Sequence, residues 1–267
     1  MKLITINTHS LIETDCNKKL STLANAIKEE MPDLIAMQEV NQTRTSAKLK
    51  SNPFLYNDFA VREDNYAVSL LKELEKFNIQ YYCVWIPVKI GYDKYDEGLS
   101  ILSRSPILNI DNLLISNCDN YSYWKTRRVL GVNTKNGWFY SVHMGWWHDN
   151  EEPFYKQWEK LNEHLKYKKN VWLMGDFNSC CNVIGEGYDL ITSSGWYDSY
   201  KSAKSKDDGF TVTKQIDGWR NGETNKMRID YIFSNFKADI LQSKIIFNDI
   251  NHAVISDHYG IIIETKE

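Results

Sequence analysis

The sequence predicts an α/β domain, and three observations point there. Stretches of strand-like alternation are separated by stretches in which apolar residues recur at helical spacing. The 267 residues are 42% hydrophobic, enough for a substantial core. No Pro/Ser/Gly linker or low-complexity tract divides the chain, so a single domain over residues 1–267 is expected.

Residues 2–8, KLITINT, alternate as a strand with Leu3 or Ile4 and Ile6 as apolar positions, and end in the polar Asn7 and His9. Leu20, Leu23, Ala24, Ile27 and Met31 then follow helical spacing until Pro32 stops the helix. Residues 34–37 read as a short strand, followed at once by Gln38 and Glu39. A helix is predicted over 65–77, with Val68, Leu71 and Leu74 on one face, and residues 81–89 are rich in β-formers. Residues 99–102 and 106–114 are predicted as a pair of strands around the turn SRSP. Residues 129–133 and 138–143 make a hairpin through Asn136-Gly137, a dipeptide that accepts the positive φ of a tight hairpin turn.

Pro153 suits the first position of a helix lined by Phe154, Trp158, Leu161 and Leu165. Residues 171–174 read as a strand covered on both faces, and Gly175 allows a sharp turn or a close approach ahead of Asp176 and Asn178. Residues 201–228 are polar, glycine-dotted and weakly periodic, which predicts a long surface excursion. Residues 228–234 return to alternation, with Ile229, Tyr231 and Phe233 on one face and Asp230 on the other. Residues 240–247 and 259–265 supply the last strands, with Asp257 and His258 just ahead of the final one.

A formal net charge of −3 gives no overall basic field to neutralise a phosphate backbone, which argues against a nucleic-acid partner. No uninterrupted apolar run approaches a membrane span, so no membrane partner is expected. The chain opens directly in a strand pattern without the features of a secretory signal. The five cysteines, Cys16, Cys83, Cys118, Cys180 and Cys181, are odd in number and form no CxxC pair. Reduced thiols in a cytoplasmic protein are therefore expected.

Asn7, Glu39, His143, Asp176, Asn178, Asp230, Asp257 and His258 each lie at or beside a predicted strand terminus. Singly each has an ordinary role as turn residue, solvated charge or ion-pair partner. Together, strand ends gathered along one edge of packed sheets can build a site from residues far apart in sequence. Glu39, Asp257 and the Asn7 carbonyl are oxygen donors of the kind a hard divalent cation takes, whereas no cluster offers the nitrogen and sulfur set of zinc. Mg²⁺ or Mn²⁺ is the expected cofactor.

The ordered series TIN at Asn7, QEV at Glu39, SVHMG at His143, GDFNS at Asp176 and Asn178, RIDYIF at Asp230, and SDHYG at Asp257 and His258 resembles the endonuclease/exonuclease/phosphatase superfamily. The resemblance implies a four-layer α/β sandwich, in which two packed, mainly antiparallel sheets are flanked by helices. It also implies that Asn7, Glu39 and Asp257 hold or surround the metal, and that Asp176 and Asn178 orient or activate water and contact phosphate. His258, with Asp230 fixing its tautomer, would stabilise phosphoryl charge. His143 would hydrogen-bond the phosphate or donate a proton.

The superfamily spans nucleases, sphingomyelinases and phosphatases, so the substrate must be read from other residues. Trp146 and Trp147 follow His143 closely, and Trp219 precedes Asp230; flat rings suit sugar faces, while Glu97 and other carboxylates such as Asp96 and Asp149 can bind hydroxyls. Arg127 or Arg128 could present a planar fork to two phosphate oxygens. The segments GYDKYDEGLSILSR, VHMGWWHD, GEGYDLI, GWYDSY, DGFTV and IDGWR resemble the maltose 6'-phosphate phosphatases of low-GC Gram-positive bacteria. A metal-dependent phosphomonoesterase acting on a sugar phosphate is therefore expected. The alternatives are a nuclease or other phosphodiesterase with the same core, and a non-catalytic binding module.

Overall fold

In a computed structural model, which describes residues 1–56, 59–214, 216 and 226–266, the strands assemble into two mixed sheets. In chain order they are β1 (Lys2–Asn7), β2 (Leu34–Thr43), β3 (Leu55–Tyr56), β4 (Tyr82–Gly91), β5 (Tyr95–Ser103), β6 (Asn109–Leu114) and β7 (Arg128–Thr134). The series continues with β8 (Gly137–His143), β9 (Val171–Asp176), β10 (Tyr197–Asp198), β11 (Ser205–Lys206), β12 (Asp230–Ser234), β13 (Ile240–Ile246) and β14 (Gly260–Thr265). The helices are α1 (Cys16–Glu30), α2 (Tyr66–Glu75), α3 (Phe154–Leu165), α4 (Gly187–Ser193) and α5 (Ser199–Ser202). One sheet has the order β11-β13-β14-β1-β2-β5-β4-β3 and the other β10-β12-β9-β8-β7-β6.

Strand alternation sorts the apolar residues into layers. Leu3, Leu34, Ala36, Val84, Ile86 and Leu99 from one sheet meet Leu130, Val132, Phe139, Trp172 and Met174 from the other, forming the core between the sheets. Their strand neighbours Ile4, Ile6, Ile35, Met37 and Trp85 point the opposite way, against Leu23 and Ile27 of α1 and Val68 and Leu71 of α2. On the far side, Tyr140, Val142, Leu173 and Phe233 pack under Phe154, Trp158 and Leu161 of α3 and Ile191 of α4. Helix, sheet, sheet and helix give the four-layer α/β sandwich.

Local chemistry sets the boundaries. The Asn65 side chain accepts hydrogen bonds from the Ala67 and Val68 N–H groups and starts α2. Met31 turns left-handed ahead of Pro32 and ends α1. Gly175 has φ 150°, and a Cβ there would lie 1.9 Å from the Val142 carbonyl oxygen of the parallel neighbour β8. The glycine is thus required by close approach of backbone in mid-sheet.

Four expectations need correction. The segments 99–102 and 106–114 do not pair: β5 is flanked on both sides by β2 and β4, so it has no free edge, and β6 pairs with β7 in the other sheet. The strand expected over 34–37 runs on to Thr43. Pro153 precedes α3 as its cap and is not its first residue. Residues 201–228 are not wholly a surface excursion, since Thr211, Val212 and Ile216 are buried and Val212 bridges to Met227. No helix of the described residues is long and apolar enough to cross a membrane.

Candidate active site

The polar cluster lies where β1, β2, β5 and β4 of one sheet face β12, β9, β8 and β7 of the other. Asp230 opens β12 and pairs in register with Asp176, which ends β9 and pairs in turn with His143 at the end of β8. One row of cross-strand neighbours therefore holds three of the expected residues. Asn7 ends β1 on the facing sheet.

Glu39 reaches the site by a different device. Up to Met37, even-numbered residues of β2 face the other sheet and odd-numbered ones face the helices. Beyond the irregularity between Met37 and Val40, Val40 faces the helices instead. This bulge inverts the parity, so that Gln38 and Glu39 both point inward. Gln38 bonds Ser141 of β8, and Glu39 turns into the site at φ 53°, a left-handed conformation that stores strain.

The groups converge closely. Asn7 Nδ2 donates to Glu39 Oε1 at 2.9 Å and to Asp176 Oδ2 at 3.2 Å. His258 Nδ1 lies 2.9 Å from Asp230 Oδ2, while its Nε2 is 3.8 Å from Asp176 Oδ2. His143 Nε2 approaches the same Asp176 oxygen at 3.6 Å. Asp176 Oδ1 accepts the Asn178 backbone N–H at 2.8 Å, and Asn178 Nδ2 donates to the Met144 carbonyl at 2.9 Å. Asp257 Oδ1 lies 3.9 Å from His9 Nδ1, and that nitrogen lies 2.7 Å from Glu13 Oε1.

Electrostatics divides the buried His258 from the partly buried His143. Burial disfavours an imidazolium at His258, but Asp230 and Asp176 outweigh it and hold its pKa well above the usual histidine value. His143 is pushed well below that value by burial and by the positive charges of Arg127, Lys89 and His258. Burial and repulsion from Asp230 push the Asp176 carboxyl up to about 7, against the opposing pull of His258. Glu39 is raised by burial and by Glu97.

Arg127, just ahead of β7, and Glu97, on β5 of the facing sheet, are both buried, and both act electrostatically on the site. Arg127 Nη1 donates to the Trp124 and Thr126 carbonyls, and its guanidinium lies 5.7 Å from the Trp146 ring centre. Glu97 Oε1 is 3.2 Å from Lys89 Nζ. The neighbouring carboxylates are committed elsewhere: Asp96 accepts from Gln42 and Tyr121, and Asp149 pairs with Lys125 at 2.7 Å.

Three expected positions are corrected. Arg128 is taken up by other partners, pairing with Asp119 at 2.7 Å and donating to Asn112 Oδ1 at 3.2 Å. Trp147 packs on Phe154 and Tyr155 of α3, with ring centres 6.0 and 6.2 Å away. Asn7 offers its amide nitrogen to Glu39 and Asp176, because two carboxylates favour a donor between them; its carbonyl faces the His9 N–H. Trp219 lies outside the described residues.

Sequence reasoning passed over Lys89, His9 and Trp124. Lys89 carried a signal, a lysine inside the apolar run IPVKI. His9 was visible only as a strand-end residue. Trp124, which is exposed and has its ring centre 5.9 Å from that of Trp146, lies in the aromatic and basic segment YWKTRRVLG but was not singled out within it.

The donor set suits a hard cation. Asp176 is a buried and Glu39 a partly buried carboxylate, both with raised pKa values, and Asp230 Oδ1 is buried without a hydrogen-bond partner among the described residues. Surplus buried negative charge beside the more accessible Asp257 fits a divalent ion with oxygen ligands. Two clusters have metal-ligating atoms within 4.8 Å of one another, His9 with Glu13 and Asp257, and Asp176 with Asp230 and His258; neither contains a cysteine.

No curated protein matches the chain. Among solved structures, an endonuclease/exonuclease/phosphatase family protein from Leptotrichia buccalis C-1013-b is 35% identical over 100% of both chains, with a TM-score of 0.88. The mannosyl-6-phosphatase Bt3783 of Bacteroides thetaiotaomicron VPI-5482 is 16% identical over 100% of both chains, with a TM-score of 0.68. The 3' phosphatase NExo from Neisseria, bound to a product DNA hairpin, is 17% identical over 100% of both, with a TM-score of 0.66. The family described as Endonuclease/Exonuclease/phosphatase matches residues 4–258. A match of that extent, together with a relative 35% identical along its whole length, establishes that the chain belongs to the endonuclease/exonuclease/phosphatase family.

Proposed function

We propose that the protein is a divalent-metal-dependent phosphomonoesterase that releases phosphate from a sugar phosphate, with a disaccharide phosphate such as maltose 6'-phosphate as substrate. One observation carries this reading: a cationic and a neutral histidine, His258 and His143, approach the same Asp176 oxygen from 3.8 and 3.6 Å. Such a trio can take a proton, stabilise anionic oxygens and hydrogen-bond a phosphate within one small volume.

Enzymes of this family typically depend on a divalent metal, and Mg²⁺ or Mn²⁺ held by Glu39 and Asp257 would neutralise charge on the phosphate oxygens. Asn7 fixes the Glu39 carboxylate. Asp176, with its pKa near neutrality, takes a proton from the attacking water. Its Oδ1 is held by the Asn178 N–H, which aims Oδ2 at the two histidines. His258 stays protonated through Asp230 and stabilises the charge that builds on the phosphoryl oxygens. His143, neutral, hydrogen-bonds the phosphate, and Arg127 supplies a further charge.

The sugar assignment is supported by the Trp124 and Trp146 rings beside Arg127, and by the name of the structurally similar mannosyl-6-phosphatase. The reading keeps the chain as one cytoplasmic domain whose partner is a small phosphate ester. The test is phosphate release by purified protein with Mg²⁺ or Mn²⁺ from disaccharide, hexose and inositol phosphates, alongside cleavage of abasic duplex DNA. Turnover of a sugar phosphate is expected. Duplex cleavage without monoester turnover would overturn the reading and favour the nuclease, an activity named for the structurally similar Neisseria 3'-5' exonuclease.

A further inference from the structure

We infer that Lys89 and Arg127 together form an anion subsite that reads the extra charge of a terminal phosphate, and so set a preference for phosphomonoesters over diesters. The inference rests on the phosphomonoesterase reading above and names the feature of the substrate that selects it. Lys89 has no place in the resemblance that identified the other site residues.

The position of Lys89 is made by a bulge. In β4, Val84, Ile86 and Val88 face the core between the sheets, while Cys83 and Trp85 face the helices. Regular alternation would therefore send Lys89 outward. The register against β5 shifts between Pro87 and Lys89, which places Lys89 opposite Glu97. Glu97 shares its face with Leu99 and Ile101, which line the core between the sheets, so Lys89 joins that inward side. The β2 bulge that turns Glu39 inward lies at the same level, since Val40 pairs with Gly98 on the other side of β5. Gly98 has no room for a side chain: a Cβ would lie 2.1 Å from the Ile86 carbonyl oxygen. Two bulges on either side of one glycine thus aim an acid and a base into the same space.

The cationic end holds two cations and one close ion pair, while Glu39, Asp176 and Asp149 act on Arg127 from farther away. Lys89 is 9% exposed and Arg127 is 3% exposed. The strand β7, which Arg127 precedes, packs across the gap against β4 and β5. Among the described residues Glu97 is the one carboxylate within ion-pair distance of either cation. Arg127 Nη1 is satisfied by two backbone carbonyls, which carry no net charge, and its Nε has no hydrogen-bond partner among the described residues. A buried cation without a matching anion is unfavourable unless a ligand supplies one. A phosphomonoester near neutral pH carries close to two charges and three terminal oxygens, whereas a diester carries one charge and has the third oxygen bonded to carbon, which removes its charge and adds bulk beyond it. Lysine supplies a compact charge with rotatable donors and arginine a planar fork, so the pair can share a tetrahedral group.

The test is the calorimetric affinity of the Mg²⁺-loaded protein for inorganic phosphate, in wild type, Lys89→Gln, Lys89→Arg and the double variant Lys89→Gln with Glu97→Gln. Loss of one charged hydrogen bond should weaken phosphate binding about 10- to 100-fold in Lys89→Gln, with Lys89→Arg recovering most of it. The double variant leaves no unpaired Glu97, and it should show the same weakening with its melting temperature preserved. Phosphate affinity within about threefold of wild type in both glutamine-containing variants would make Lys89 a structural ion-pair partner and overturn the inference. Absence of monoester turnover in the wild type would instead sink the proposed function, and the phosphate affinity reads the subsite separately.

Discussion

Replacing Asp230 with asparagine keeps the side-chain volume and removes one charge from a buried pair. Asp230 is 1% exposed, and its Oδ2 lies 2.9 Å from His258 Nδ1. Without that carboxylate, burial opposes the imidazolium, and the main remaining support is Asp176, 3.8 Å from the other ring nitrogen. A hydrogen bond to a charged group contributes about 1.5–3 kcal/mol, so the pKa of His258 should fall towards the ordinary histidine value. If imidazolium charge stabilises the transition state, kcat should fall about 10- to 100-fold with KM less affected. The high-pH limb of the activity profile should also move to lower pH.

The same pair bears on stability. Because the folded pKa lies above the 6.5 of an ordinary histidine, the pair adds stability that is complete below pH 6.5 and fades as pH rises through the folded value. Asp230→Asn should shrink that contribution. The assay is a nitrogen-15 NMR titration of the His258 ring combined with phosphate release across pH. A His258 that titrates at the wild-type pH in the variant, or a variant with wild-type kcat, would refute the reasoning.

Three further outcomes follow from the geometry. Gly175→Ala should destabilise the fold by about 3 kcal/mol or more in denaturant titration, since its Cβ would meet the Val142 carbonyl oxygen at 1.9 Å; a loss under about 1 kcal/mol would mean that β8 and β9 separate readily. Trp147→Ala should cost about 2–4 kcal/mol of stability with KM unchanged, because the ring packs on Phe154 and Tyr155, whereas Trp146→Ala should raise KM; the reverse pattern in steady-state kinetics would return Trp147 to the site. Burial tends to raise the Asp111 pKa, but hydrogen bonds from Tyr140, His164 and Lys168 outweigh it and hold it below 3.8. Its stabilisation is therefore complete above that pH and lost as pH falls through the folded value, and Asp111→Asn should flatten this acid limb in thermal melts.

What the sequence showed and hid follows from how each residue is placed. Asn7, His143, Asp176 and Asp230 end or begin strands, and a strand end is visible as a break in alternation. Glu39 was found as a polar residue after an apolar run, yet it lies within a longer strand and depends on a bulge that only the pairing with β5 reveals. Lys89 was missed for the same reason, since periodicity alone sends it to the outer face. Arg127 and Arg128 could not be told apart in sequence because alternation from Leu130 and Val132 favours Arg128, whereas the residue buried near His143 is Arg127, just ahead of the strand. The strand segments on either side of SRSP looked like a hairpin locally, but β5 already has β2 and β4 on its two edges, and edge occupancy is a property of the whole sheet. The tilted ring contact of Trp124 with Trp146 joins segments that no local pattern connects.

The central claim is that strand ends and bulges of two facing sheets gather carboxylates to hold a hard cation beside His258 and Arg127. Anomalous scattering from crystals grown with Mn²⁺ and inorganic phosphate tests it most directly. The expected map has an ion ligated by Glu39 and Asp257, with the phosphate between it and His258. An ion bound away from Glu39, or phosphate bound away from both His258 and Arg127, would contradict the account.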